Sequence, residues 1–163
     1  MKTNGISRAV FLGFLLCTVF LISAAVEAAP LPDVMDEWQS GPIHTTTLDV
    51  GSEDLGIWRN RVYTRAAPIA SIEVNLTEGP GFGTLFVPDT EGPTNDAPIG
   101  FSSTYETLNI ADKRAILERG DVTGQALAVA FGKNMTLTLE SKSVSAEELL
   151  DFAERMIRAL QAE

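Results

Sequence analysis

The chain of 163 residues contains one cysteine, one histidine, two tryptophans and two tyrosines, and its 12 basic side chains are outnumbered by 22 acidic ones, for a net charge of −10. Each scarcity removes a class of chemistry. Nucleophilic catalysis needs an activated nucleophile beside a base, and the only imidazole is His44, at an expected strand start after Pro42 and Ile43. Neither a Gly-x-Ser-x-Gly elbow nor a Ser-x-x-Lys dyad occurs. Zinc and copper sites gather several His or Cys ligands, which one chain of this composition does not supply. Nucleic acid and anionic membrane surfaces both call for clustered Lys and Arg, against the sign of the charge here. No metal and no cofactor is expected.

Long apolar runs are also scarce, with one exception at the start. Lys2 and Arg8 precede 18 residues, Ala9 to Val26, and Val26-Glu27-Ala28 has the small-x-small form of a signal-peptidase site. The reading is a signal peptide over 1–28, cleaved after Ala28, with periplasmic or secreted localisation. An uncleaved anchor is the rival, because the run reaches the lower length of a membrane span. Cys17 lies mid-run after Leu15-Leu16, without the small residue that lipid attachment needs before it. Loss of 1–28 removes Lys2, Arg8, Glu27 and the cysteine, leaving 135 residues with ten basic and 21 acidic side chains, a net charge of −11. A disulfide is then impossible, so packing alone must hold one small domain.

Residues 29–43 form a Pro-containing arm, in which Val34, Met35 and Trp38 allow a helical turn or an irregular segment. A single domain is expected over 44–163. Strands are predicted at His44–Val50, Leu55–Arg65 and Ala70–Thr77, the last with Ile72, Val74 and Leu76 alternating against polar residues. Four more are predicted at 103–110, 113–119, 124–131 and 135–141, as an antiparallel meander. Ala126 to Phe131 is apolar on both faces and predicts a strand covered on both sides, with alanines where a helix packs. Ser145-Ala146-Glu147-Glu148 is a capping box, and Leu149, Phe152, Ala153, Met156, Ile157 and Leu160 follow at helical spacing, with Arg155 and Arg158 suited to the C-terminal dipole. The fold class expected is α+β, a twisted antiparallel sheet with a C-terminal helix on one face.

The one constellation that stands out is Arg59, Arg61 and Arg65 with Tyr63, on one face of one strand. Such a row can bind carboxylate or phosphate bidentately and stack on aromatics. The structural alternative is cross-strand pairing with Glu73 and other acids. Residues 78–100 are the longest irregular stretch, and a loop of that length is often functional. In it Gly79-Pro80-Gly81-Phe82-Gly83 lacks phosphate-loop spacing, reads as a turn after a strand, and offers Phe82 as a contact aromatic. Asp89 to Asp96 has oxygen donors for calcium but places its glycine fourth rather than sixth, and is read as a solvated loop. Glu106, Glu118 and Glu140 raise the question of a paired-carboxylate site and are read as surface residues, without clustered aromatics beside them. The sequons at Asn75 and Asn134 are read as chance triplets of a bacterial chain, and in a eukaryotic one they would be glycosylation sites.

From Tyr105 to Leu160, a strand like Met135 to Ser141 runs directly into a Ser-Ala-Glu-Glu-Leu-Leu helix. This pattern resembles the ends of small bacterial exported α+β domains and is similar to that of Mog1/PsbP-like domains. The resemblance implies fold and compartment and carries no functional residue. The expectation is an exported, non-enzymatic domain that binds a protein partner or a small anionic ligand through Arg59, Arg61, Tyr63 and Arg65 or through Phe82 and its loop, without nucleic acid, and touching membrane only through the leader if uncleaved. The alternatives are an enzyme with an unusual carboxylate site and a structural or assembly subunit.

Overall fold

The computed structural model describes residues 30–89, 92–94 and 103–162. The expected leader lies outside them, as do Thr90, Glu91, Asn95 and Asp96 of the loop considered for calcium. In chain order the strands are β1 (Val34–Met35), β2 (Trp38–Ser40), β3 (His44–Val50), β4 (Glu53–Ala66), β5 (Ile69–Glu78), β6 (Gly92–Thr94), β7 (Ser103–Ile110), β8 (Lys113–Gly120), β9 (Gly124–Gly132) and β10 (Met135–Ser141). One helix, α1 (Ala146–Ala162), follows. The strands form one antiparallel sheet in the order β1-β2-β4-β5-β10-β9-β8-β7-β6, with β3 joined to the first half of β4.

Local chemistry accounts for the corners. Ala111 and Asp112 both have positive φ, 44° and 62°, which gives the two-residue β7–β8 hairpin the twist its strands need. Near the start of β4 and just after β5, Gly56 and Gly79 have φ of 127° and 130°, and a Cβ on Gly56 would sit 2.1 Å from the Glu78 carbonyl. Only glycine allows that approach, so the segment after β5 turns back against the backbone of 55–56, with the Gly81 amide donating to the Leu55 carbonyl at 2.8 Å.

The core lies between one sheet face and α1. Ile72, Val74 and Leu76 from β5, Leu137 and Leu139 from β10, and Leu127 and Val129 from β9 point to this side and are buried against Leu149, Phe152, Met156 and Ile157. The helix starts with half of the expected capping box, the Glu148 amide donating to Ser145 Oγ at 3.2 Å while the Glu148 carboxylate turns to Arg65.

Three expectations change. The arm is a short hairpin, β1–β2, that adds to the edge of β4 through Gln39–Thr64 and Ser40–Tyr63. Strand β9 is covered on one side only, because Leu127 and Val129 meet the helix while Ala126, Ala128 and Ala130 stay half-exposed on the other face. Finally, Arg155 and Arg158 pair with Asp151 and Glu154 one turn earlier, at 2.8 and 2.5 Å, and the last helical turn carries no basic residue.

Candidate functional site

The period-two pattern of β4 sends Arg59, Arg61, Tyr63 and Arg65 to the helix side and Trp58, Asn60, Val62 and Thr64 to the opposite face. On the helix side the arginine row is committed to internal partners. Arg59 and Arg61 are each 6 % exposed and Tyr63 is 0 % exposed. Arg59 Nη1 lies 3.0 Å from Glu78. Arg61 Nη1 donates to the Leu31 carbonyl at 2.8 Å and to Asp33 at 2.6 Å, and Tyr63 Oη donates to the Pro32 carbonyl at 2.7 Å. Arg65 pairs with Glu148 on the helix and Glu37 in the β1–β2 turn, and stacks 4.8 Å over the Trp38 ring. The row thus clamps the N-terminal arm and the helix onto the sheet.

Burial, the largest influence, pushes the Tyr63 phenol up to about 12, and the neighbouring Arg61 charge only partly offsets it. Glu73, expected beside these arginines, lies on the other face and accepts from Asn60 Nδ2 at 2.8 Å. Phe82 is half-buried in its turn, whereas Phe86, which sequence reasoning did not single out, is 82 % exposed.

The face without a helix is the more open chemistry. Strand registry aligns Val62, Glu73, Glu140, Ala126, Glu118 and Tyr105 in one row across β4, β5, β10, β9, β8 and β7. Glu73 and Glu140 are direct cross-strand neighbours. Glu118 and Glu140 stand either side of Ala126, about 10 Å apart at two strand spacings. Among the described residues no cation pairs with these three carboxylates. The Tyr105 phenol is held above its ordinary value, first by loss of solvent and then by the charge and hydrogen bonding of Glu118. Glu106 does not join them, since it faces the helix side and meets Arg119 at 2.5 Å.

Two shallow hollows share Glu140. One of about 220 Å³ is floored by Ala126 and Ala128 and walled by Tyr105, Ile116, Glu118 and Thr138. The other, about 280 Å³, lies toward Val62, Ser71 and Glu73 and takes in Lys142 at its rim. Trp58 and Val62, exposed on the same face, extend the apolar surface. Small side chains on β9 create the depression, and carboxylates on its flanking strands give it one sign of charge.

Neither the protein-family models, nor the curated proteins, nor the solved structures include a match to this chain. Its function is therefore argued from the site alone. Among the described residues no group of three or more His, Asp or Glu is placed to hold a metal ion, and no helix is long and apolar enough to cross a membrane. The sequence singled out Glu118 and Glu140 but not their alignment with Glu73, because that depends on the order β5-β10-β9-β8, in which β10 returns beside β5.

Proposed function

We propose that this chain is an exported, non-enzymatic binding domain whose recognition surface is the helix-free face of the sheet, and that its partner presents a cationic group. The observation that carries this reading is the row Glu73–Glu140–Glu118, unpaired by any described cation and set along two hollows, a mostly polar one beside Glu73 and one floored by Ala126 and Ala128 between Glu140 and Glu118. A lysine or arginine laid over Ala126 gains charge-assisted hydrogen bonds at its head and apolar contact along its stem. Export is supported by the leader-like segment before Ala29. An anionic ligand at the arginine row fits less well, since Arg59, Arg61 and Arg65 already hold carboxylates and carbonyls.

Calorimetric titration of the exported protein with a lysine-rich and a glutamate-rich peptide of equal length tests the reading. The lysine peptide is expected to bind, with affinity falling as salt rises, and Glu118→Gln with Glu140→Gln to weaken it by about tenfold or more. Equal affinity for both peptides, or no effect of the double substitution, removes it.

A second reading, a carboxylate-based hydrolase, draws on Glu118 and Glu140, two carboxylates on strands that flank the Ala126 floor. Turnover on a glycoside panel that either single Gln substitution abolishes would replace the binding reading with this one.

A further inference from the structure

We infer that β3 is a pairing edge for a second copy of this chain, joining two sheets antiparallel through His44–Leu48. Strands β2 and β3 run one after the other along the same side of β4, separated by Gly41, Pro42 and Ile43. Strand β1 covers the outer edge of β2 and stops there. Among the described residues nothing pairs with the outer edge of β3, and all seven of its residues are exposed. Its alternate amides and carbonyls therefore point outward as a template for another strand.

Sheet edges are ordinarily protected by brevity, proline or lysine. The other ends of this sheet follow that rule, since β1 has two residues and β6 has three with Pro93 among them. Strand β3 has seven residues, no proline and no lysine, and its register irregularity falls only after Leu48. The preceding segment, His-Thr-Thr-Thr-Leu, is suited to a twofold centred on Thr46. Thr46 then faces Thr46, Thr45 faces Thr47 and His44 faces Leu48, with no like charges opposed and threonine pairs that favour cross-strand contact. Asp49, the one acid in the strand, falls beyond this segment.

A twofold of this kind is perpendicular to the sheet, so both helix-free faces lie on the same side of the dimer. Trp58, the β4 neighbour of Thr46, then stands near the seam in each copy. The inference uses none of the acidic row's chemistry, and failure of peptide binding leaves it intact.

The experiment combines light scattering with a cysteine scan of the exported protein. In a Cys17→Ser background an introduced cysteine is the only thiol in the chain. Cysteines are placed singly at Thr45, Thr46, Thr47 and Leu48, and oxidised. The expected results are a concentration-dependent dimer and a disulfide yield at Thr46→Cys at least about tenfold above its neighbours, as directly opposed β-carbons allow. Thr46→Lys, on an exposed side chain, is expected to abolish the dimer and Thr46→Val to keep it. A monomer up to about 1 mM, the weak limit of specific association, overturns the inference. A dimer indifferent to Thr46→Lys, or disulfides formed equally at all four positions, overturns it as well.

Discussion

At the scale of single residues, Tyr63 joins the sheet to both the helix and the N-terminal arm. Its ring packs edge-on against Phe152 of the helix at 5.2 Å, and its hydroxyl holds the carbonyl of Pro32 in the arm. A phenol whose ionisation is pushed from 10 to about 12 favours the folded state fully below pH 10. That contribution is lost as pH rises from 10 through 12, because the unfolded chain releases the proton first. Denaturant unfolding across this window is expected to show falling stability in the natural chain. In Tyr63→Phe the phenol's share of that slope is absent, and stability at neutral pH drops by about 1 kcal/mol for the lost hydrogen bond. An unchanged alkaline slope in Tyr63→Phe contradicts this account. Arg61 acts nearby through charge-assisted bonds to the same arm, so Arg61→Ala is expected to lower stability by roughly 2 kcal/mol in urea unfolding.

At the scale of elements, helix and sheet specify each other through the cap and the aromatic cluster. Ser145→Ala removes the acceptor for the Glu148 amide and is expected to lower unfolding stability by about 1 kcal/mol. Phe152→Ala empties the space between Trp38 and Tyr63 and is expected to lower it by roughly 3–5 kcal/mol, with a visible fall in the melting temperature. These elements were legible because their signals are local. Alternation in Ile72, Val74 and Leu76 marked β5, helical spacing marked α1, and strands β3, β7 and β10 have the bounds expected of them. The β1–β2 hairpin was not legible, because Val34–Met35 and Trp38–Ser40 are too short for a period and owe their pairing to Thr64 and Tyr63, far along the chain. The alanines of β9 misled for a related reason. Small residues permit a helix to pack but equally permit an open groove, and the pattern of Leu127 and Val129 decided which face the helix took. The arginine row was correctly placed on one face, but which face became buried depended on where α1 and the arm settled.

At the scale of the whole molecule, six arginines are committed to acids on the helix side or along the helix. Arg59, Arg61, Arg65 and Arg119 are bound to acids on the helix side, and Arg155 and Arg158 to acids along the helix. In a chain of net charge −10 this leaves a concentration of uncompensated carboxylate on the open face. Direct opposition of Glu73 and Glu140 is unfavourable for folding, since like charges facing across strands destabilise a sheet by some tenths of a kcal/mol. A binding row of this kind therefore opposes stability, and one substitution separates the two roles. Glu140→Gln is expected to raise unfolding stability by about 0.5 kcal/mol at low salt. The gain should vanish near 1 M salt, where screening reaches about 3 Å. The same variant is expected to bind the lysine-rich peptide more weakly, so that stability and affinity move in opposite directions. If Glu140→Gln instead lowers stability, the carboxylate is satisfied by the fold, and the open face loses the unpaired charge on which cation recognition depends.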